Sequence, residues 1–228
     1  VRSDSVVLFD IDGTLVRRSG PYHRDALSVA VREVFGMETT TEGIPVHGML
    51  DPDILCAMLA RAGIQEAAAR GAMNKLQSAA EEYYLQICPD LRHATCPGVR
   101  PLLERLRRKR VPLALVTGNF TRIGWRKLER AGLNQYFQFG AFAEMAKTRA
   151  GLAAIAARKL GAQNTVYLVG DAPSDIEAAR ANGFTAVSVY TGVSGREELA
   201  ALEPDYLLRN LRWFRLDFEQ LDIPSQSS

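Results

Sequence analysis

The sequence predicts an α/β fold, a parallel sheet core carrying an inserted all-helical domain. Short apolar runs of strand length, at residues 6–9, 111–116, 165–169 and 185–190, alternate with stretches of helical period. No strand-like run occurs between Pro21 and Cys96. The strand-like runs also end in chemistry-bearing residues: Asp10-Ile11-Asp12-Gly13-Thr14, Thr117-Gly118-Asn119 and Gly170-Asp171-Ala172-Pro173-Ser174-Asp175. In open parallel sheets, ligands bind outside the carboxyl ends of the strands.

The first run, Val6-Val7-Leu8-Phe9, reads as a buried strand that delivers Asp10 and Asp12 two residues apart. Like charges this close repel unless a cation or a shared proton intervenes. One carboxylate can then be a nucleophile while the other, kept protonated, is a general acid. A strand-ending Asp-Gly turn is the plainer alternative. A calcium loop is excluded, because its later carboxylates and terminal glutamate are missing.

Gly20-Pro21 punctuates a loop, and Ala26, Leu27, Ala30, Val31 and Val34 then recur at helical spacing up to Gly36. Asp51-Pro52-Asp53 opens a second helix, and a third is expected over 65–87, ending before Pro89. The helical block interrupts the β/α alternation. The expected division is therefore a core of residues 1–16 and 93–228 with an inserted helical cap domain over 17–92.

Residues 99–110 predict a helix with Leu102, Leu103 and Leu106 inward and four consecutive cations at its end, which complement the helix dipole as a solvated terminus. The strand at 111–116 leads to Thr117-Gly118-Asn119, where a hydroxyl and bare N–H groups can face phosphate oxygens; Thr121 as a helix N-cap is a compatible alternative. A short strand is expected over 137–142, then an alanine-rich helix ending near Leu160-Gly161. After the strand at 165–169, Asp171 and Asp175 suit a hard cation bound through oxygen; alone, Asp175 would read as a helix N-terminal acid. A helix over 176–182, strands at 185–190 and 205–208 and a terminal helix with Trp213 and Phe214 in the core complete the expectation, with 225–228 a frayed tail.

Composition narrows the function class. With 47% hydrophobic and 24% charged residues the chain is ordinary globular protein, and a net charge of +2 argues against nucleic-acid or membrane partners. No run is long enough for a membrane span, and no signal-peptide pattern opens the chain. Cys56, Cys88 and Cys96, an odd number without a Cys-x-x-Cys pair, fit a reduced compartment, so a cytoplasmic protein is expected. Val1 in place of Met suggests a trimmed start.

Asp10-Ile11-Asp12-Gly13-Thr14-Leu15 resembles the first motif of the haloacid dehalogenase-like phosphatase superfamily, Thr117-Gly118-Asn119 resembles the second, and Gly170 to Asp175 the fourth. The resemblance implies a Rossmann-like core with a helical cap between the first and second motifs. It also implies a third-motif lysine that binds the nucleophile's carboxylate and the phosphate. Lys147, one of only five lysines among 28 basic residues, stands at about that place, although Thr148 replaces the usual following proline and Lys159 is an alternative.

By this resemblance Asp10 is the nucleophile and Asp12 the general acid and base. Mg²⁺ is held by Asp10, the Asp12 carbonyl and Asp171, with Asp175 in its shell or on a bound water. Thr117, Gly118, Asn119 and Lys147 bind phosphate. The implied activity is hydrolysis of a small phosphomonoester through an aspartyl phosphate, and dehalogenases are set aside because they lack the second acid. A sugar-phosphate mutase and a catalytically silent binding module are the alternatives. Mutases of this type carry Gly-x-Ser-Arg in a cap loop, where this chain has Gly48-Met49-Leu50-Asp51, an acid that would repel a second phosphate. Arg17 and His47 are candidates for contacting the leaving group.

Overall fold

Strand β1 (Val6–Phe9) lies inside an all-parallel sheet with β2 (Leu113–Val116), β3 (Phe139–Ala141), β4 (Val166–Gly170), β5 (Thr185–Val189) and β6 (Tyr206–Leu208), in the order β3-β2-β1-β4-β5-β6. This computed structural model describes residues 5–18, 20–162 and 165–216. The expectations for Val1 and for a tail at 225–228 lie outside the described residues.

Registers pair Val7 with Leu113 of β2 and with Tyr167 of β4. Every residue of β1, β2 and β4 is buried, which is why these strands read as unbroken apolar runs. Helices α1 (Tyr22–Phe35), α2 (Asp51–Arg61), α3 (Glu66–Gly71) and α4 (Met73–Ile87) form a helical block between β1 and β2, with α1 packed along α4. Helices α5 (Val99–Arg108), α6 (Thr121–Ala131), α7 (Arg149–Lys159), α8 (Pro173–Ala181) and α9 (Arg196–Ala200) belong to the α/β part, where α7 packs on β1, β2 and β3 and α8 packs on β4 and β5.

Several boundaries depart from expectation. The helix expected over 65–87 is two, broken at Gly71-Ala72, where a residue of poor helix propensity ends α3. The helix expected to reach Arg110 ends at Arg108, and Arg110 turns the chain with φ 55°. The segment expected as a terminal helix is a 3-10 turn, Leu211–Trp213. Phe214 is buried edge-on against Tyr167 of β4, whereas Trp213 is 69% exposed and not in the core.

Candidate active site

The sheet order changes direction at β1. The chain builds outward through β2 and β3 on one side, then returns through β4 to β6 on the other, and such a switch point opens a crevice at the carboxyl ends of the strands. Asp10 follows β1, its N–H held by Val169 O at 2.9 Å, and Asp171 follows β4. Asp175 sits in the first turn of α8, where its Oδ2 accepts the Ala172 N–H at 3.1 Å. Oxygens of Asp10, Asp171 and Asp175 lie within 4.8 Å of one another, all three residues buried. A Cβ on Gly192 would stand 1.5 Å from Asp171 Oδ2, and one on Gly13, at φ +92°, 2.2 Å from the same atom, so glycines make the room for this carboxylate.

Burial, reinforced by the charges of Asp10 and Asp175, pushes the Asp171 carboxyl well above its ordinary range. Asp10 is pushed up in the same way, by burial foremost and then by Asp175 and Asp12, against the opposing pull of Arg149. Asp171 Oδ2 is buried without a hydrogen-bond partner. An orphaned carboxylate oxygen facing two further carboxylates is suited to a hard cation, so the residues present fit a divalent metal ion.

The buried cation of this cluster is Arg149, not Lys147. Nη1 of Arg149 lies 3.0 Å from Asp10 Oδ1 and 2.8 Å from Asp175 Oδ1. Lys147 is exposed. The cause is local: Thr148 caps α7, its hydroxyl accepting the Gly151 N–H at 3.1 Å, so Arg149 becomes the first helical residue and shares the buried face of Leu152, Ala153 and Ala156. Lys147 precedes the cap and leaves the helix face altogether.

Asp12 is held by a second buried cation that the motif reading missed. Nζ of Lys127 lies 2.6 and 2.8 Å from the two Asp12 oxygens, and Nδ2 of Asn119 donates to Asp12 Oδ2 at 2.8 Å. Burial pushes this carboxyl up, but the Lys127 charge foremost and the hydrogen bonds from Lys127 and Asn119 outweigh it and bring Asp12 down to about 2. The structure therefore holds Asp12 as a carboxylate, where the sequence led us to expect the protonated partner of the pair. The signal was present in α6, where Ile123, Lys127 and Ala131 recur every fourth residue on the buried face and place a lone cation in an apolar stripe.

Thr117 and Gly118 follow β2 and line the same cleft as these acids. Thr117 Oγ1 accepts Asn119 N–H at 3.3 Å and Nδ2 at 2.5 Å, which leaves its own O–H free to donate. Asn119, expected to hold phosphate, has its side chain committed to Asp12, Thr117 and Lys127. Gly118 O accepts the Asp51 N–H at 2.8 Å, which docks the start of α2 on this loop.

Asp51 does not face the cleft as a free charge. It is 1% exposed, and its Oδ2 accepts the Phe120 N–H at 2.8 Å and lies 3.1 Å from His23 Nε2. The repulsion expected of an acid at this place is therefore taken up by these partners. His47 stands with Nε2 3.7 Å from Asp171 Oδ2 and Nδ1 2.9 Å from Arg18. Arg17 and Arg18 are exposed at the rim of a cleft of about 310 Å³ that also contains Asp10, Asp12, Thr117 and Arg149.

A parallel α/β sheet with a buried carboxylate cluster fit for a divalent cation at its switch point, and a hydroxyl-glycine loop after the neighbouring strand, places the chain in the class of α/β proteins that bind ligands at the carboxyl ends of their strands. Residues 5–183 match the family described as haloacid dehalogenase-like hydrolase, and the chain belongs to that family. It is 35% identical over 113 residues to the phosphoglycolate phosphatase of Synechococcus elongatus, a match covering 49% of this chain and 53% of that enzyme, about half its length. It is 27% identical over 207 residues to the probable phosphatase IndB of Dickeya dadantii, covering 89% and 88% of the two chains. Its fold is similar to that of a beta-phosphoglucomutase from Clostridium difficile, with a TM-score of 0.72 and 18% identity over 95% of each chain.

Proposed function

We propose that the chain is a Mg²⁺-dependent phosphomonoester hydrolase acting on a small phosphorylated metabolite through an aspartyl phosphate on Asp10. The observation that carries this reading is the cluster of Asp10, Asp171 and Asp175 around Arg149, with the free Thr117 hydroxyl across the same cleft. The four carboxylates of the site face two buried cations, Arg149 and Lys127, an imbalance that one divalent ion offsets. Asp10, the main-chain carbonyl of Asp12 and Asp171 would hold it, while Asp175, tied to Arg149 and the Ala172 N–H, supports them from behind. When bound, the ion neutralises charge on the transferring phosphoryl group and polarises it.

Arg149 orients the Asp10 carboxylate for attack on phosphorus, and the Thr117 hydroxyl with the Gly118 N–H holds non-bridging oxygens. Asp12, a carboxylate at rest, first takes up a proton as substrate binds, from solvent or from the phosphate monoanion, and the bond to the leaving oxygen breaks as that oxygen receives it. A phosphate dianion entering the cleft offsets the field of Lys127 and raises the proton affinity of Asp12 for this step. In the second step Asp12, again beside Lys127, takes a proton from the water that opens the aspartyl phosphate.

Residues 17–92, the segment containing α1 to α4, are read as a cap over the cleft, with His47, Arg17 and Arg18 facing the leaving group. The names of the relatives support a phosphatase rather than a silent module. No helix among the described residues is long and apolar enough to cross a membrane, and Cys56, Cys88 and Cys96 are free thiols, which together support a cytoplasmic location.

The test is phosphate release from a panel of phosphorylated metabolites with and without Mg²⁺, on the wild type and on Asp10→Asn, which cannot form the acyl phosphate. The reading expects activity that needs both the metal and Asp10. Conversion of a sugar phosphate into its isomer without phosphate release would make the chain a mutase.

A further inference from the structure

We infer that Lys127 is a positioning residue for Asp12, set by α6 and tied through His23 to the helical block. This rests on reading Asp10 and Asp12 as the reacting pair. Lys127 is 4% exposed, and its ammonium meets both Asp12 oxygens, Asn119 Oδ1 at 2.6 Å and His23 Nδ1 at 3.2 Å. It also lies 5.9 Å from the centre of the Tyr84 ring of α4. An ammonium has three protons, and here a carboxylate, an amide oxygen and an imidazole nitrogen take them. No donor remains for a substrate, so Lys127 acts through Asp12.

The chain of bonds is consistent from end to end. If Lys127 donates to His23 Nδ1, the imidazole proton sits on Nε2 and is donated to Asp51 Oδ2 at 3.1 Å, and the same oxygen receives the Phe120 N–H. His23 lies on α1 and Asp51 opens α2, while Phe120 and Lys127 belong to the α/β part. Asp12 is thus gripped on one side by Asn119 from its own sheet edge. On the other it is gripped by a cation whose remaining donor is satisfied only when α1 is seated. Without Lys127, the carboxylate keeps the Asn119 amide and is free to rotate about it.

The experiment is a double-mutant cycle of K127M and D12N, with 4-nitrophenyl phosphate and the best alkyl ester of the metabolite panel as substrates. Acting through a group whose acid–base assistance is worth about 10²–10⁴-fold, K127M should lower kcat for the alkyl ester about 10–100-fold. KM should stay within about threefold, and in the D12N background the same substitution should change kcat less than about twofold. K127R should recover part of the loss. Equal losses in both backgrounds, or a K127M kcat within about twofold of wild type, would overturn the inference. If K127M does not fold, H23N carries the test, with the same non-additivity expected and an additive or absent loss overturning it. D10N is measured alongside, and turnover that survives it would overturn the underlying assignment of the reacting pair.

Discussion

Nη1 of Arg149 lies 3.0 Å from Oδ1 of Asp10, with both side chains buried, and the same nitrogen is 2.8 Å from Asp175. One guanidinium nitrogen therefore bridges the proposed nucleophile and the carboxylate behind the proposed metal ligands. Burial opposes the charge on Arg149, but Asp175 and Asp10 outweigh it and push its pKa up, so it stays charged.

Removing this cation leaves two buried carboxylates without a countercharge, a change that typically costs about 3–5 kcal/mol. Arg149→Met should abolish turnover and lower the unfolding midpoint, and Arg149→Lys should recover stability more than activity, because the shorter ammonium restores the charge without placing its nitrogen between Asp10 and Asp175 as the guanidinium does. Lys147→Ala should leave kcat within about twofold of wild type, as a surface substitution does. Steady-state kinetics and urea unfolding of the three variants check this, and a large loss in Lys147→Ala alone would return the role to that residue.

The contrast between these two cations shows what was legible. The buried strands could be read because four or five consecutive residues of each are buried and almost all of them apolar. Asp10, Asp12, Thr117 and Asp171 could be placed because each ends such a run. Arg149 was missed because residue type was weighed above helical phase, although Leu152, Ala153 and Ala156 mark the face it shares. Lys127 was legible by phase and overlooked. The positions of His23 and Asp51 were not legible, since they depend on how the helical block seats on the loop after β2, a long-range packing that no local pattern encodes.

The carboxylate cluster predicts a pH-dependent response to metal. Asp10 and Asp171 have pKa values raised above the ordinary 3.8. A carboxyl raised in the folded state binds its proton more tightly there than in the unfolded chain. The metal-free protein therefore keeps this stability below about pH 4 and loses it as pH rises toward the folded values. Asp12, lowered to about 2, contributes in the opposite sense, and its share is lost only as pH falls from about 4 toward 2. Mg²⁺ competes with the protons on Asp10 and Asp171, so at a fixed concentration of 100 times its Kd at pH 8 it should raise Tm by about 5–10 °C at pH 8 and by less than half of that at pH 6. Scanning calorimetry at the two pH values checks this, and equal shifts would place the metal away from these acids.

Gly192 supplies a sharper test of the proposed metal site. A Cβ there would fall 1.5 Å from Asp171 Oδ2 and 2.9 Å from Asp171 Cβ, so Gly192→Ala must displace the carboxylate. Overpacking of this kind costs about 1–3 kcal/mol, and the Mg²⁺ concentration for half-maximal activity should rise about tenfold or more. Gly195 has nothing within 4 Å of its would-be Cβ, and Gly195→Ala, on the same loop, should change neither quantity. Metal titrations of the two variants separate displacement of Asp171 from a general effect on the loop.

Gly118 joins the loop after β2 to the helical block, and its replacement should uncouple them. A Cβ at Gly118 would stand 2.3 Å from Met49 O and 3.3 Å from Leu50 Cα, backbone atoms that cannot turn aside as a side chain can. The loop ending at Leu50 would have to move away, and the Asp51 N–H bond to Gly118 O, 2.8 Å long, would go with it. Asp51 is also the residue that holds His23 and the Phe120 N–H, so its displacement loosens the seat of α1 and α2 together. Gly118→Ala should therefore lower kcat/KM by about tenfold or more, and overpacking here should cost about 1–3 kcal/mol. Limited proteolysis should then cut the segment 36–50 faster than in wild type, with the sheet core intact. Unchanged cleavage with lost activity would instead mean that the methyl group acts on the phosphate itself, and that the helical block stays seated without this contact.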